Sequence, residues 1–140
     1  MRVIILTALV VLLFGVDSAS ACTCVPIDVD QALKRSDGAF NGRLLSVRQP
    51  EGTVDRKFRY RIGHVAKGPF RRGQVVTVWS LSSEAICGLP GDAGRVYGLF
   101  VRRDGERWTS SLCLTISPKR LRRATRDIGA ARVAGASACG

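Results

Sequence analysis

Five cysteines, Cys22, Cys24, Cys87, Cys113 and Cys139, constrain this 140-residue chain more than any other feature. An odd number leaves at least one free or bonded to another molecule. Cys22 and Cys24 are separated by one residue, and an extended C-x-C cannot meet the Cα separation and dihedral that a disulfide demands. Each must therefore reach across the chain. With Cys139 as the unpaired residue, two arrangements remain: Cys22 with Cys87 and Cys24 with Cys113, or the reverse. Either one ties the same short segment to two separate points and makes it rigid. Loops of this length contribute about 4 to 5 kcal/mol each in the chain-entropy picture, an upper figure because they overlap.

The residues before Cys22 give the compartment. Arg2 precedes an apolar run from Val3 to Val16, and Ala19-Ser20-Ala21 follows, the layout of a secretory signal peptide over residues 1–21. The run is too short to span a bilayer comfortably, so a transmembrane protein is not expected. Cleavage after Ala21 makes residues 22–140 one domain with Cys22 at its start, secreted or periplasmic, where disulfides persist. A domain of this size benefits from cross-links. A lipoprotein signal is the alternative, but Ala19 stands where a leucine-like residue is expected, and lipidation would block the amine of Cys22. The formal charge of +11 favours polyanions, heparin-like chains or an anionic surface, as partners; in an exported protein no nucleic acid is expected.

The chain beyond the cysteine pair reads as β. Asp28-Val29-Asp30-Gln31 has capping-box-like spacing and opens a short helix into Arg35. Ala39 to Arg48 predicts a strand, with a turn at Gln49 to Gly52. Phe58, Tyr60 and Ile62 alternate with Arg59 and Arg61, a half-buried strand that Gly63 and then Gly68-Pro69 are expected to break. Val75 to Trp79 predicts a third strand and Ser80 to Glu84 a loop. Arg95 to Arg102 and Trp108 to Cys113 flank Asp104-Gly105 as a hairpin. Five short strands without alternating helices predict an all-β fold with flanking helices, the size of a five-stranded OB-fold barrel, although the count alone also allows a sandwich. Ser117-Pro118 opens a basic helical segment over 118–140, with Leu121, Ala124, Ile128 and Ala131 at helical spacing.

Enzyme chemistry finds little to rest on. His64 is the single histidine and lies within a strand-like stretch, and the chain carries no His-based metal motif, nucleophile elbow or phosphate loop. The expectation is a protein that is not an enzyme and has no cofactor of its own. Trp79, Phe100 and Trp108 are expected in the core.

The stretch Cys22-Thr23-Cys24-Val25-Pro26 resembles the mature N-terminus of the tissue inhibitors of metalloproteinases. The likeness continues through Val65-Ala66-Lys67-Gly68, Ser83-Glu84-Ala85-Ile86-Cys87-Gly88, Val96-Tyr97-Gly98-Leu99, Asp104-Gly105, Leu112-Cys113 and Ile116-Ser117-Pro118, in that family's order and approximate spacing. The resemblance implies an OB-fold of the netrin-like type, with Cys22 bonded to Cys87 and Cys24 to Cys113. It further implies a zinc metalloproteinase as partner. The α-amine and carbonyl of Cys22 would chelate the zinc supplied by that target protease. Thr23 would enter the pocket beside the metal, Cys24, Val25 and Pro26 would lie along the cleft, and Ser83, Glu84, Ala85 and Ile86 would fill its other side.

The sequence departs from that family in two respects. A third cross-link would need a cysteine near Lys34, which is absent and leaves Cys139 without a partner. The family's disulfide-rich second domain has no counterpart in these residues, and Lys119 follows Pro118 where a tryptophan is usual. The alternative reading is a netrin-like module that recognises polyanions or a protein partner without inhibition, favoured by the clusters at Arg71-Arg72, Arg102-Arg103, Lys119-Arg120 and Arg122-Arg123.

Overall fold

The computed structural model describes residues 22–137; the leader and Cys139 lie outside the described residues. Helix α1, Val29–Arg35, starts where expected, with the Asp28 carboxylate accepting from the Gln31 backbone N–H at 3.0 Å. This satisfies one of the donors that every helix start leaves open. The strands follow as β1 (Gly38–Arg48), β2 (Asp55–Lys67), β3 (Val75–Leu81), β4 (Val96–Asp104), β5 (Arg107–Thr109) and β6 (Thr115–Ile116), and helix α2 spans Pro118–Ser137.

Five of these strands close on themselves. The order β1-β2-β3-β5-β4 returns to β1 through an antiparallel β1–β4 ladder, while β6 adds two residues to β4. The short β3–β5 contact is the parallel pairing. The result is the all-β, five-stranded barrel with flanking helices that the turn pattern predicts, and two disulfides staple it. No helix among the described residues is long and apolar enough to cross a membrane. The disulfides fit an oxidising, extracytoplasmic compartment.

The inside of the barrel is filled by the strand alternation. Phe58, Tyr60 and Ile62 point inward with Phe40, Leu44, Val78 and Leu99, all essentially inaccessible. Phe40 meets Phe70 edge-on at 5.0 Å and Tyr60 at 6.4 Å, arrangements that suit the charge distribution of aromatic rings. On the opposite side of β1 and β4, the directly paired Ala39 and Phe100 form a second core with Leu33 of α1 and Leu121 of α2. Asn41, on that same side, donates to the Pro118 carbonyl at 3.1 Å and so ties the start of α2 to the barrel.

Several local expectations need correction. Gly63 does not break β2: it is the extra residue between Ile62, opposite Gly42, and His64, opposite Asn41, so the irregularity is a bulge that bends a continuing strand. Trp79 lies on the outer face of β3, covered by Lys57 and Arg107, and is not part of the barrel core. Trp108 packs on that core only partly, 4.8 Å from Phe70, whereas Phe100 is fully buried. The strand expected to run from Trp108 to Cys113 stops at Thr109. Leu112–Leu114 forms a 3-10 turn because Cys113 is drawn to Cys24 and the Leu112 N–H is taken by the Cys87 carbonyl at 2.9 Å. Ser80 and Leu81 extend β3 where a loop was expected, since the buried Ser80 hydroxyl accepts from the Leu89 N–H.

Candidate functional site

Residues 22–28 precede α1 without regular secondary structure. Two bonds hold them. Cys22 is joined to Cys87 with a Cα separation of 5.3 Å, and Cys24 to Cys113 at 5.1 Å, both within the range of ordinary disulfides. Of the two arrangements that the cysteine spacing permits, this is the one implied by the inhibitor-like start. The bridges lie against each other, with Cys22 Sγ 3.9 Å from Cys113 Sγ. The close approach of the sulfurs of Cys22, Cys24 and Cys113 offers no thiolate for a metal, because each sulfur is spent in a disulfide.

Downstream, the segment is anchored by groups that the sequence does not mark. The Arg120 guanidinium of α2 donates to the Ile27 carbonyl at 2.6 Å, and Ile27 packs on the outer core beside Leu33 and Leu121. Between these anchors Thr23, Val25 and Pro26 face solvent, Val25 with 82% of its surface open. Val25 and the exposed Pro26 beside it leave a small apolar surface uncovered among the described residues. A cleft of about 390 Å³ lies alongside, lined by Cys24 to Ile27, Cys113 and Arg120 among others.

The second predicted segment is brought to the same place by the Cys22–Cys87 bond. Glu84–Ile86 is a single 3-10 turn, closed by Ile86 N–H to the Ser83 carbonyl and Cys87 N–H to the Glu84 carbonyl. Ser83, Glu84 and Ile86 are exposed, and Ala85 lies within the turn. Cys87 adopts φ 64°, the left-handed region that a non-glycine residue enters at a cost. That conformation turns the chain so that the Cys87 sulfur meets Cys22 while its carbonyl meets Leu112.

Gly88 makes the turn possible. A Cβ there would lie 2.4 Å from the Leu81 carbonyl oxygen and 2.6 Å from that of Ser83, and the Gly88 N–H donates to the same Ser83 oxygen at 2.7 Å. Only a residue without a side chain fits so close to two backbone groups. Gly88 and Arg120 are thus parts of the site that sequence reasoning missed. Gly88 carries a weak signal, a glycine directly after a cysteine; Arg120 carries none that separates it from its basic neighbours.

The single histidine lies elsewhere. His64 is half-buried near Thr125 of α2, and burial, then the charges of Arg122 and Arg126, hold its pKa below the usual imidazole value. The leader whose removal would place a free amine on Cys22 lies outside the described residues, as does Cys139. The chain matches no protein-family model and no curated protein sequence.

Proposed function

We propose that this chain inhibits zinc metalloproteinases, with Cys22 as the group that meets the metal once the leader is removed. The observation that carries the reading is the double staple: two adjacent disulfides fix Cys22 and Cys24 while leaving Thr23, Val25 and Pro26 open to a partner, next to the turn that exposes Ser83, Glu84 and Ile86. A catalytic zinc keeps a position open for water or substrate. An α-amine titrates near 7.7 to 8.0, so its conversion to a neutral nitrogen ligand costs little at neutral pH. With the adjacent carbonyl it forms a five-membered chelate and displaces the water that would attack a peptide bond.

The rest of the segment would then occupy the substrate cleft, Thr23 beside the metal and Val25 and Pro26 along it. Rigidity matters twice. A segment already fixed in shape loses little freedom on binding, and one clamped at both ends cannot move into the geometry needed for cleavage. The zinc belongs to the target; this chain supplies only the ligands.

The test compares protein beginning at Cys22 with protein carrying one additional alanine before it, both oxidised, against a panel of zinc metalloproteinases. Inhibition by the first and its loss in the second are expected, since the alanine converts the amine to an amide. Inhibition by neither, with both disulfides verified, leaves the rival reading of a netrin-like binding module that recognises polyanions or a protein partner.

A further inference from the structure

The outer face of the barrel across β1, β2 and β3 carries a concentration of positive charge that neither the staple nor the core requires. Outward positions on β2 are Lys57, Arg59 and Arg61, and all three are exposed. The ladder sets Arg43 directly opposite Arg61 and Arg48 directly opposite Lys57. Like charges directly opposite on one face of a sheet repel, and here the repulsion occurs twice within one ladder. Arg107 joins the same surface from β5, its guanidinium 4.2 Å from the centre of the Trp79 ring, with Lys57 at 4.7 Å from it.

The acids answer only a small part of this charge: Asp104 stands opposite Arg107 in the β4–β5 ladder, without an ion pair between the two among the described residues. The ion pair found among the described residues is Arg95 with Asp92, in the turn that bonds to β1 at Leu44, and it includes none of the strip's cations. Asp55 shares the outer face only at the beginning of β2, opposite Leu81. Arg43 reaches the Gly94 carbonyl at 2.6 Å, a neutral acceptor. Arg59 and Arg61 have neither an ion pair nor a side-chain hydrogen bond among the described residues.

We propose that this face binds a linear sulfated polysaccharide. Outward positions repeat at about 7 Å along a strand and about 5 Å across a ladder, so six cations form a strip of high charge density. A chain bearing many sulfate groups neutralises such a strip, and the planar guanidinium suits tetrahedral oxyanions by paired hydrogen bonds. The aromatic groups favour a glycan over a nucleic acid. Trp79 is covered by Lys57 and Arg107, and Trp108 is contacted by Phe70 and by Arg103 at 4.7 Å. Base stacking needs uncovered rings. The residues of the strip are distinct from those of the staple and of the Ser83 to Ile86 turn.

The experiment uses the oxidised protein beginning at Cys22 with a heparin decasaccharide as probe, at several salt concentrations. The triple variant K57Q/R59Q/R61Q is expected to lose at least about tenfold in affinity, with the dependence of log K on log salt flattened by about two to three. The variant K119Q/R122Q/R123Q, which removes as many charges from α2, is expected to stay within about threefold. Metalloproteinase inhibition by the first variant is expected to be unchanged, which separates this result from the fate of the inhibitory reading. R59Q alone, at an unchanged melting temperature, gives the same direction if the triple variant does not fold. Equal losses in both triple variants, or tighter binding of single-stranded DNA than of heparin, would overturn the proposal.

Discussion

Cys22 Sγ lies 3.9 Å from Cys113 Sγ, so the first cysteine of one disulfide rests on the second cysteine of the other. Neither bridge can be removed without disturbing the packing of its neighbour. The replacement C24S/C113S is expected to lower unfolding stability by about 2 to 5 kcal/mol, the range for native bridges in small exported domains. It should also weaken inhibition while leaving Cys22 bonded to Cys87. Denaturant unfolding with a parallel inhibition assay measures both, and full inhibition by the variant would show that the second bridge does not position the segment.

Gly88→Ala tests the turn that brings Ser83 to Ile86 beside the staple. The added methyl would meet the Leu81 and Ser83 carbonyl oxygens at 2.4 and 2.6 Å, and neither is a flexible side-chain end. A loss of about 1 to 3 kcal/mol is expected from overpacking. Thermal unfolding of the oxidised variant reads it, and an unchanged midpoint would mean that the turn adapts freely.

Tyr60 has a fully buried hydroxyl with no hydrogen-bond partner among the described residues, and burial pushes its pKa well up. A buried polar group left without a partner costs about 1 to 3 kcal/mol. Tyr60→Phe is therefore expected to be as stable as the parent or up to about 1 kcal/mol more stable. A loss of stability in denaturant titration would point to a bonding partner for that oxygen.

His64 gives the fold a pH dependence of defined sign. Its folded pKa is lowered by burial and by Arg122 and Arg126 from an ordinary value of 6.5. The unfolded chain thus takes up a proton at higher pH than the folded one. The contribution to stability is complete above about 6.5 and is lost as pH falls through the folded pKa. His64→Gln should flatten that part of the stability profile, and an identical slope in parent and variant between pH 7 and 5 would contradict the assignment.

Much of the barrel is legible in the sequence because its cause is local. The alternation of Phe58, Tyr60 and Ile62 with Arg59 and Arg61 is a strand with one buried face whatever lies beside it, and Asp28 ahead of α1 is a cap by its own chemistry. What escaped depends on partners distant in sequence. Gly63 has the look of a strand breaker until β1 is placed opposite it, when it becomes a bulge. Trp79 has the composition of a core residue, yet its parity on β3 turns it outward. The shortened β5 follows from the disulfide at Cys113. Cysteine spacing left two pairings open. Arg120 is indistinguishable on paper from the other basic residues of α2 until its guanidinium is seen on the Ile27 carbonyl.

The closure of the barrel limits how another polypeptide can engage it. β1 is flanked by β2 and β4, β2 by β1 and β3, and β4 by β1, β5 and β6. An invading extended peptide therefore finds only short rows of unpaired backbone donors and acceptors: among the described residues these are the end of β1 beyond Leu44, the end of β2 beyond Ile62, and Val75 to Thr77 of β3. Recognition by strand addition, and the edge-to-edge self-association that shares its chemistry, are thereby restricted. Such a molecule is addressed through what protrudes from its wall and its end, where side chains rather than backbone ladders decide what is recognised.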